Sequence, residues 1–244
     1  MWWSLAWQDT KQRYRRSFLG PFWITASTGI LVLAMGPLYG ALLGQNIASY
    51  LQHLAISLIL WTFISTSINE AGSAFVGAEN FIKQVALPLS VHVYRLISKN
   101  MVILAHNALI IVVVLVFLPL LFLQNLWLFP IGLLLVLGNL FGIALLLAVL
   151  SARFRDIPQL VSNVVQLAFF LSPFLWKADM LKPEHQFVAD FNPFYHFMEV
   201  IRAPLLGSAI NMNSWLVVLF LLVLVNVTSF LVFARFRARV PYWI

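Results

Sequence analysis

Long apolar segments separated by short polar ones make up most of the chain. Several of these segments exceed about 18 residues, enough for an α-helix to cross a hydrocarbon core about 30 Å thick. Strand-type alternation of apolar and polar positions is absent, and in lipid only helices and closed barrels satisfy the backbone. We therefore predict an all-α integral membrane protein with six transmembrane helices, over residues 21–43, 54–76, 101–123, 126–150, 157–176 and 214–234.

The first residues follow a different pattern, which predicts an amphipathic helix over residues 1–18. Trp3, Trp7, Tyr14 and Phe18 fall roughly on one face, and polar and basic residues occupy most of the rest. Basic residues combined with tryptophan and tyrosine are typical of a helix lying in the membrane interface.

Composition excludes a soluble protein. The 244 residues are 62% hydrophobic and 9% charged, whereas a soluble domain carries about 25% charged residues. No cysteine is present, which excludes disulfides and thiolate metal sites. The N-terminus has no small-residue cleavage site of the kind that ends a signal peptide.

The net charge of +7 is explained by membrane topology. Six spans put both termini on one side, and that side holds twelve of the fifteen lysines and arginines; only Lys177, Lys182 and Arg202 lie on the other. Because loops rich in lysine and arginine stay in the cytoplasm, we expect both termini to be cytoplasmic. Nucleic-acid binding is not needed to account for the charge.

Two connections between spans are longer than a turn requires. The cytoplasmic connection 77–99 is amphipathic, and its polar residues predict a short surface helix that stops near Pro88. The external segment 177–213 is semi-apolar, and about ten residues of helical character lie between Pro193 and Pro204. That helix is too short to span, which indicates a re-entrant or interfacial helical element between spans five and six.

Catalytic signatures are missing. The sequence contains no Walker A nucleotide loop, no H-E-x-x-H zinc motif and no G-x-S-x-G elbow. Its five histidines lack metal-ligand spacing. We therefore expect no catalytic residues, no metal and no cofactor on this chain.

A few polar residues lie inside predicted spans. Glu70 is the one carboxylate there; it is either a pore-lining or proton-carrying group, or a structural carboxyl bonded to nearby polar side chains, and the second reading is favoured. His106 and Asn107 are better read as contacts between helices than as a relay. Gly138 and Gly142 have the small-x-x-x-small spacing that allows close helix approach.

Aromatic residues make up 15% of the chain. Most are explained by lipid-facing belts and packing, but some could line a path for sugars, whose flat apolar faces stack on rings. The candidates in or near the spans are Trp23, Trp61, Phe63, Phe169, Phe170, Phe174 and Trp176.

Four stretches together resemble one family. They are RYRRSFLGPFW (13–23), SARFRDIPQLV (151–161), SPFLW (172–176) and NPFYHFMEVIRAPLLG (192–207). Their order and spacing resemble the membrane subunit of polysaccharide-exporting ABC transporters, most of all the O-antigen exporters of Gram-negative bacteria, with capsule and teichoic-acid exporters as relatives. The resemblance covers nearly the whole chain. It implies that residues 1–244 form one transmembrane domain.

The resemblance implies a half-transporter. Two copies of the chain would form a homodimeric channel of twelve spans in the bacterial inner membrane, above two copies of a separate ATPase that binds ATP and magnesium. The implied cargo is a polysaccharide on undecaprenyl diphosphate, exported from cytoplasm to periplasm during lipopolysaccharide biosynthesis.

The resemblance also implies roles for particular residues. The 77–99 connection resembles a coupling helix that contacts the ATPase through Glu79, Phe81, Lys83 and Gln84. The 192–207 element would form an external gate with Phe191, Tyr195, Glu199 and Arg202, the last two spaced to pair on one helical face. The diphosphate of the carrier would meet Arg13, Tyr14, Arg15 and Arg16, since arginine offers several donors to phosphate oxygens; contact with anionic lipid headgroups is the alternative.

Three other functions stay open at the level of sequence. A drug or small-lipid exporter of the same class often has large external domains or fused ATPases, and this chain has neither. A membrane enzyme acting on lipid-linked sugars would need clustered acidic or histidine side chains at one face. A secondary transporter is disfavoured by the single membrane carboxylate and by the lack of an evident inverted repeat.

Overall fold

A computed structural model describes residues 2–13, 22–85, 87–117 and 125–244. All regular structure in these ranges is helical, with three short 3-10 turns at Val76–Ala78, Ala178–Met180 and Pro183–His185. The α-helices are α1 (Trp2–Arg13), α2 (Phe22–Leu42), α3 (Ile47–Ala71), α4 (Glu79–Gln84), α5 (Ser90–Phe117), α6 (Leu128–Arg153), α7 (Ile157–Leu171), α8 (Phe187–Asp190), α9 (Pro193–Leu206), α10 (Met212–Phe236) and α11 (Val240–Trp243).

Five of the described helices are long and apolar enough to cross a membrane, namely α2, α3, α5, α6 and α10. Their mean hydropathy rises from 1.4 in α2 to 2.9 in α10. These helices make the chain a multi-pass membrane protein, as the sequence predicts. The first, third, fourth and sixth predicted spans correspond to α2, α5, α6 and α10, and the second corresponds to α3.

Helix α7 is shorter than the span predicted at 157–176. It has 15 residues, which gives a length of about 22 Å at 1.5 Å per residue, less than the hydrocarbon thickness. It ends at Leu171 because Ser172 is extended and Pro173 cannot continue a helix. A sixth span through α7 stays a prediction.

Helices α3 and α5 begin well before their predicted spans, and α10 begins slightly before its own. Helix α3 starts at Ile47 because the Asn46 side chain accepts hydrogen bonds from the backbone N–H groups of Ala48 (3.0 Å) and Ser49 (3.2 Å), a typical N-cap. Helix α5 starts at Ser90, so residues 90–99 of the predicted 77–99 connection are helical. The short surface helix predicted within that connection is confirmed as α4.

Helix α3 lies at the centre of the bundle. In its most apolar window 72% of the residues are buried, against 11% in α2 and in α10. It packs against α2, α5, α6, α7 and α9. One end of α3 packs against α9, and the other end lines a cavity to which α1 also contributes; we call these the α9 end and the α1 end.

Helix α6 approaches its neighbours through glycines. At Gly138 and Gly142 an added Cβ would lie 2.6 Å from Leu222 and 3.0 Å from Asn226, both on α10. The Asn226 side chain also donates a hydrogen bond to the Gly138 carbonyl (3.1 Å). The spacing of these glycines therefore marks a close helix contact, as predicted from the sequence.

The closest glycine contact joins α6 to α9. A Cβ added at Gly132 would lie 2.3 Å from the Val200 carbonyl oxygen. Pro204, four residues further along α9, has no N–H to bond this carbonyl. Gly132, which has no side chain, therefore packs directly against the Val200 carbonyl. This carbonyl receives no hydrogen bond from the residue four positions later in α9, because that residue is a proline.

Helix α1 packs along α5. Ala6 is fully buried, and the rings of Trp2 and Tyr94 lie 5.8 Å apart. Trp7 is exposed on the other side of the helix. The predicted helix is confirmed for residues 2–13, and residues 14–18 lie outside the described part of the chain.

Candidate functional site

A cavity of about 700 Å³ lies at the α9 end of the bundle, between α3, α9 and the start of the 177–213 segment. Its wall carries charged and polar groups of both signs: Gln52, His53, Lys177, Asp179, Glu199 and Arg202. Tyr195 adds an aromatic ring. We call it the α9 cavity.

Arg202 forms hydrogen bonds with several of the segments around this cavity. Its side chain is 5% exposed. Its Nη1 donates to Ser57 Oγ (2.9 Å), to the Pro173 carbonyl oxygen (3.0 Å) and, more weakly, to His53 Nε2 (3.4 Å). These acceptors come from α3 and from the chain after α7, so one guanidinium ties three segments together.

The other nitrogen of Arg202, Nη2, donates to the Glu199 carboxylate. The two residues are three apart on α9 and form an ion pair, as their spacing predicts. Since Arg202 is almost fully enclosed, water screens the pair little, and charge-assisted bonds are strong under these conditions.

Helix α9 has local signals at both ends. The Asn192 side chain accepts from the backbone N–H groups of Phe194 (2.9 Å) and Tyr195 (3.3 Å), and Pro193 occupies the first turn. Gly207 ends the helix in the left-handed conformation, with φ 63°. The helix is confirmed with 14 residues, somewhat longer than the ten between the two prolines.

Sequence reasoning missed two histidines at this end. His196 is buried, with Nδ1 2.9 Å from Ser214 Oγ on α10 and Nε2 2.8 Å from the Asp190 carbonyl oxygen. His53 is buried within α3 and faces Arg202. Each histidine has mostly apolar neighbours in the sequence, which is a signal of burial independent of metal-ligand spacing. Among the described residues, no group of acidic and histidine side chains could hold a metal ion.

The four residues predicted as an external gate do not all meet. Tyr195, Glu199 and Arg202 line the α9 cavity. Phe191 is 85% exposed and lies outside it. A gating role stays a prediction for all four.

Several of the aromatic residues predicted to line a channel instead pack against one another. The Trp61 ring stacks on Phe174 at 5.4 Å with an interplanar angle of 10°, and Phe169 and Phe194 lie within 5.7 Å of Trp61. Trp61 and Phe174 are buried by these contacts, as Phe63 is elsewhere on α3.

The remaining channel candidates are more accessible. Trp23 is 60% exposed and Phe170 is 69% exposed, while Trp176 is partly buried. Within one copy of the chain, Trp23 and Phe170 are therefore the candidates best placed to meet a second copy, lipid or cargo.

A second cluster of charged residues lies at the α1 end, around a cavity of about 220 Å³. Arg95 on α5 donates through Nε and Nη2 to the two oxygens of Asp9 on α1, both at 2.5 Å. Lys99 Nζ lies 2.8 Å from Glu70 Oε2. The structural reading of Glu70 is thus supported, although its partner is a lysine rather than a neighbouring polar side chain.

His92 is the unexplained member of this cluster. It is 3% exposed and lines the same cavity, and among the residues that the structure describes neither of its ring nitrogens has a hydrogen-bond partner. Arg95 and Lys99 also face the cavity.

Helix α4 lies on the surface next to this cluster. Phe81 is 46% exposed, and Arg95 lies over its ring with 5.5 Å from Cζ to the centroid. Lys83 donates to Glu79 at 2.7 Å, and Gln84 is exposed. The four residues predicted to contact an ATPase therefore share one short accessible helix.

The hydrogen bond and the positive charge of Lys83 lower the pKa of the Glu79 carboxyl. A depressed pKa means that this pair stabilises α4 at neutral pH and that the contribution is lost as pH falls through the lowered value. We expect Lys83→Met to raise the pKa of Glu79 back toward its ordinary range. A pH titration of the Glu79 side-chain carbon by NMR checks this, and an unchanged titration curve would contradict the pairing.

The four residues predicted to meet a diphosphate lie at the end of α1 and just after it in the sequence. Helix α1 ends at Arg13, whose side chain lies outside the described part, as do Tyr14, Arg15 and Arg16. Their role stays a prediction from the sequence.

Comparison with known proteins places this arrangement in one family. Residues 1–206 match the model of the ABC-2 type transporter. The chain belongs to the ABC-2 type transporter family. This family supplies the membrane subunit of a transporter, so the chain is a transport subunit and not itself an enzyme.

Three export permeases are similar to this chain over most of their length. The O-antigen export system permease protein RfbA of Myxococcus xanthus is 26% identical over 206 residues, covering 82% of this chain and 78% of its own. Two proteins of the same name from Klebsiella pneumoniae are 22% identical over 236 residues (95% and 90% covered) and 24% identical over 208 (84% and 79%). The family resemblance predicted from four sequence stretches is thus confirmed.

The ABC-2 match ends at Leu206, which is also the last residue of α9. Helix α10 follows and packs against α6 and α9. One of the relatives aligns over 236 residues, so its similarity extends into this last long helix. Both clusters of charged side chains lie within the matched part of the chain.

Proposed function

We propose that this chain is the permease subunit of an ATP-driven exporter that moves undecaprenyl-diphosphate-linked O-antigen polysaccharide from cytoplasm to periplasm. The observation that carries the proposal is the similarity to three O-antigen export permeases, each over most of both chains. Membership of the ABC-2 family supports ATP-driven transport in particular. The sequence has no nucleotide-binding motif of its own, so ATP and magnesium would bind to a partner ATPase.

The proposed assembly is a homodimer with two ATPase subunits in the bacterial inner membrane. In this arrangement α7 is the fifth of six spans, and both termini face the cytoplasm. The distribution of basic residues supports this orientation, because the α1 end carries Arg95 and Lys99 and the predicted cytoplasmic side holds twelve of the fifteen lysines and arginines. The α9 cavity would then face the periplasm.

Two regions would act on the cargo in this arrangement. Arg13, Tyr14, Arg15 and Arg16 would meet the carrier diphosphate at the cytoplasmic surface. Helix α9 would be the re-entrant element over the outer end of the channel; its burial among three long helices and its length, too short to span, support this role.

The proposal is tested by deleting the gene from its own host. We expect surface O-antigen to disappear and lipid-linked polysaccharide to accumulate inside the cell, with both changes reversed by a plasmid copy. Unchanged surface polysaccharide in the deletion strain would overturn the proposed cargo. If the deletion strain loses a different surface polymer, such as capsule or teichoic acid, the chain exports that polymer instead of O-antigen.

Docking of the ATPase on α4 gives a separate prediction. Phe81→Glu places a charge where an exposed ring would enter an apolar groove, and we expect the amount of co-purified ATPase to fall about tenfold or more, the change that corresponds to 1.4 kcal/mol. Phe187→Glu is the matched control, since Phe187 is also exposed, at 56%, but lies on α8 in the external segment. Equal recovery of the ATPase with both variants would place the docking surface elsewhere.

A further inference from the structure

Arg95 contacts two other helices at the α1 end. Its guanidinium binds both carboxylate oxygens of Asp9 on α1 at 2.5 Å. The same group lies 5.5 Å from the centroid of Phe81 on α4. Because Arg95 itself belongs to α5, one side chain joins the N-terminal helix, the short surface helix and a membrane-spanning helix.

The contact with α1 is geometrically restrictive. A planar guanidinium that uses two nitrogens on two oxygens fixes the relative orientation of both groups, which a lysine cannot do. The side chains of Arg95 and Asp9 are only 21% and 26% exposed, so water screens the pair less than at an open surface. Burial of Ala6 and the Trp2–Tyr94 contact keep α1 against α5 on the same side.

The contact with α4 is of a different kind. A cation over a ring attracts it without a fixed hydrogen-bond direction, so Phe81 can shift and still remain under the guanidinium. Phe81 is also partly exposed. A protein that docks on α4 and displaces this ring therefore acts directly on the group that holds Asp9.

We infer that Arg95 is a positioning residue that couples ATPase docking on α4 to the position of α1, the helix that leads into the basic cluster at Arg13 to Arg16. The inference rests on the proposed function for what docks and what is moved. The contact of Arg95 with both helices does not depend on that function. Through Arg95, docking of the ATPase on α4 would change the position of α1 and so affect the membrane surface where the carrier diphosphate would bind.

A charge swap tests the coupling. We expect Asp9→Arg alone and Arg95→Asp alone to lower polysaccharide exported per ATP hydrolysed by about fivefold or more, the lower end of coupling between linked sites. The double variant restores the ion pair in reverse but places an aspartate where the cation lay over Phe81, so we expect it to recover part of the lost export and not all of it. A fold-loss in the double variant that equals the product of the two single fold-losses would overturn the inference.

A distance measurement tests the same contact without any ATPase. The chain has no cysteine, so spin labels can be attached specifically at Gln8→Cys on α1 and Asn80→Cys on α4, both exposed positions. With labelled chain diluted in unlabelled chain, we expect a single narrow distance distribution that broadens when Asp9→Asn is added. Glu70→Gln is the matched control, because it breaks the neighbouring pair with Lys99, which joins α3 to α5, and should leave the distribution narrow.

The outcomes separate the inference from the proposed function. If the unchanged chain binds no ATPase, the proposed function fails. The distance between the two spin labels still tests whether Arg95 fixes α1 relative to α4. If the chain binds its ATPase and exports polysaccharide, but Asp9→Asn changes neither the distance distribution nor the export per ATP, the inference fails and the proposed function stands.

Discussion

Replacing Arg202 with methionine is expected to lower the free energy of unfolding by about 3–5 kcal/mol, the usual cost of removing one partner of a buried ion pair. The change leaves the Glu199 carboxylate, 15% exposed, without its cation. It also leaves Ser57 Oγ and the Pro173 carbonyl oxygen without the donor they share. The loss should appear as a lower unfolding temperature of the purified protein in lipid nanodiscs.

Further variants separate charge from packing. Combining Arg202→Met with Glu199→Met removes the stranded carboxylate, so we expect the double variant to be more stable than Arg202→Met alone. Lys182→Met is the matched control, because its side chain is 78% exposed and lies 4.0 Å from Glu184, and surface pairs contribute roughly 0–1 kcal/mol. If Arg202→Met unfolds at the same temperature as Lys182→Met, the buried network described around Arg202 does not exist.

Replacing Gly132 with alanine is the second large expected effect. The new methyl group would lie 2.3 Å from the Val200 carbonyl oxygen, far inside van der Waals contact. Backbone cannot rotate away as a side chain can, so α6 and α9 must separate. Overpacking of this kind costs typically about 1–3 kcal/mol, and we expect the upper end.

The matched control for this variant is Gly29→Ala. Gly29 lies inside a membrane-spanning helix too, but the methyl group there would lie 3.9 Å from the nearest atom, on Ile110. Thermal unfolding should therefore change little for Gly29→Ala and should shift down by roughly 6–12 °C for Gly132→Ala, from about 2–4 °C per kcal/mol for a chain of this size. Equal unfolding temperatures would show that α9 does not lie against α6 as described.

The apolar pattern predicted the long helices well because hydrophobic length is the main requirement for crossing a membrane. It placed helix starts less well. Helix α5 extends back to Ser90 through His92, Arg95 and Lys99, polar residues that resemble a loop in sequence. In the fold Arg95 pairs with Asp9 on α1, and Lys99 pairs with Glu70 on α3. Pairings of this kind join residues 86 positions apart, and no local pattern reports them.

The candidate site also combines a contact that the sequence predicts with contacts that it does not predict. The Glu199–Arg202 pair was predictable, since both residues lie on one helix at a spacing of three. The partners that make Arg202 central, Ser57 and Pro173, come from distant segments and were not. For the aromatic residues a channel role stays a prediction. Trp61 and Phe174 stack on each other within one copy of the chain, a contact between residues far apart in sequence that no local pattern reports.

The most direct test of the account is transport by the purified proteins. The chain would be reconstituted into liposomes with the ATPase encoded beside it, and lipid-linked polysaccharide would be supplied on the ATPase side. We predict that polysaccharide reaches the opposite side only when both chains, ATP and magnesium are present. Transport that proceeds without the ATPase, or a chain that forms no complex with it, would contradict the assignment as the permease of an ATP-driven exporter.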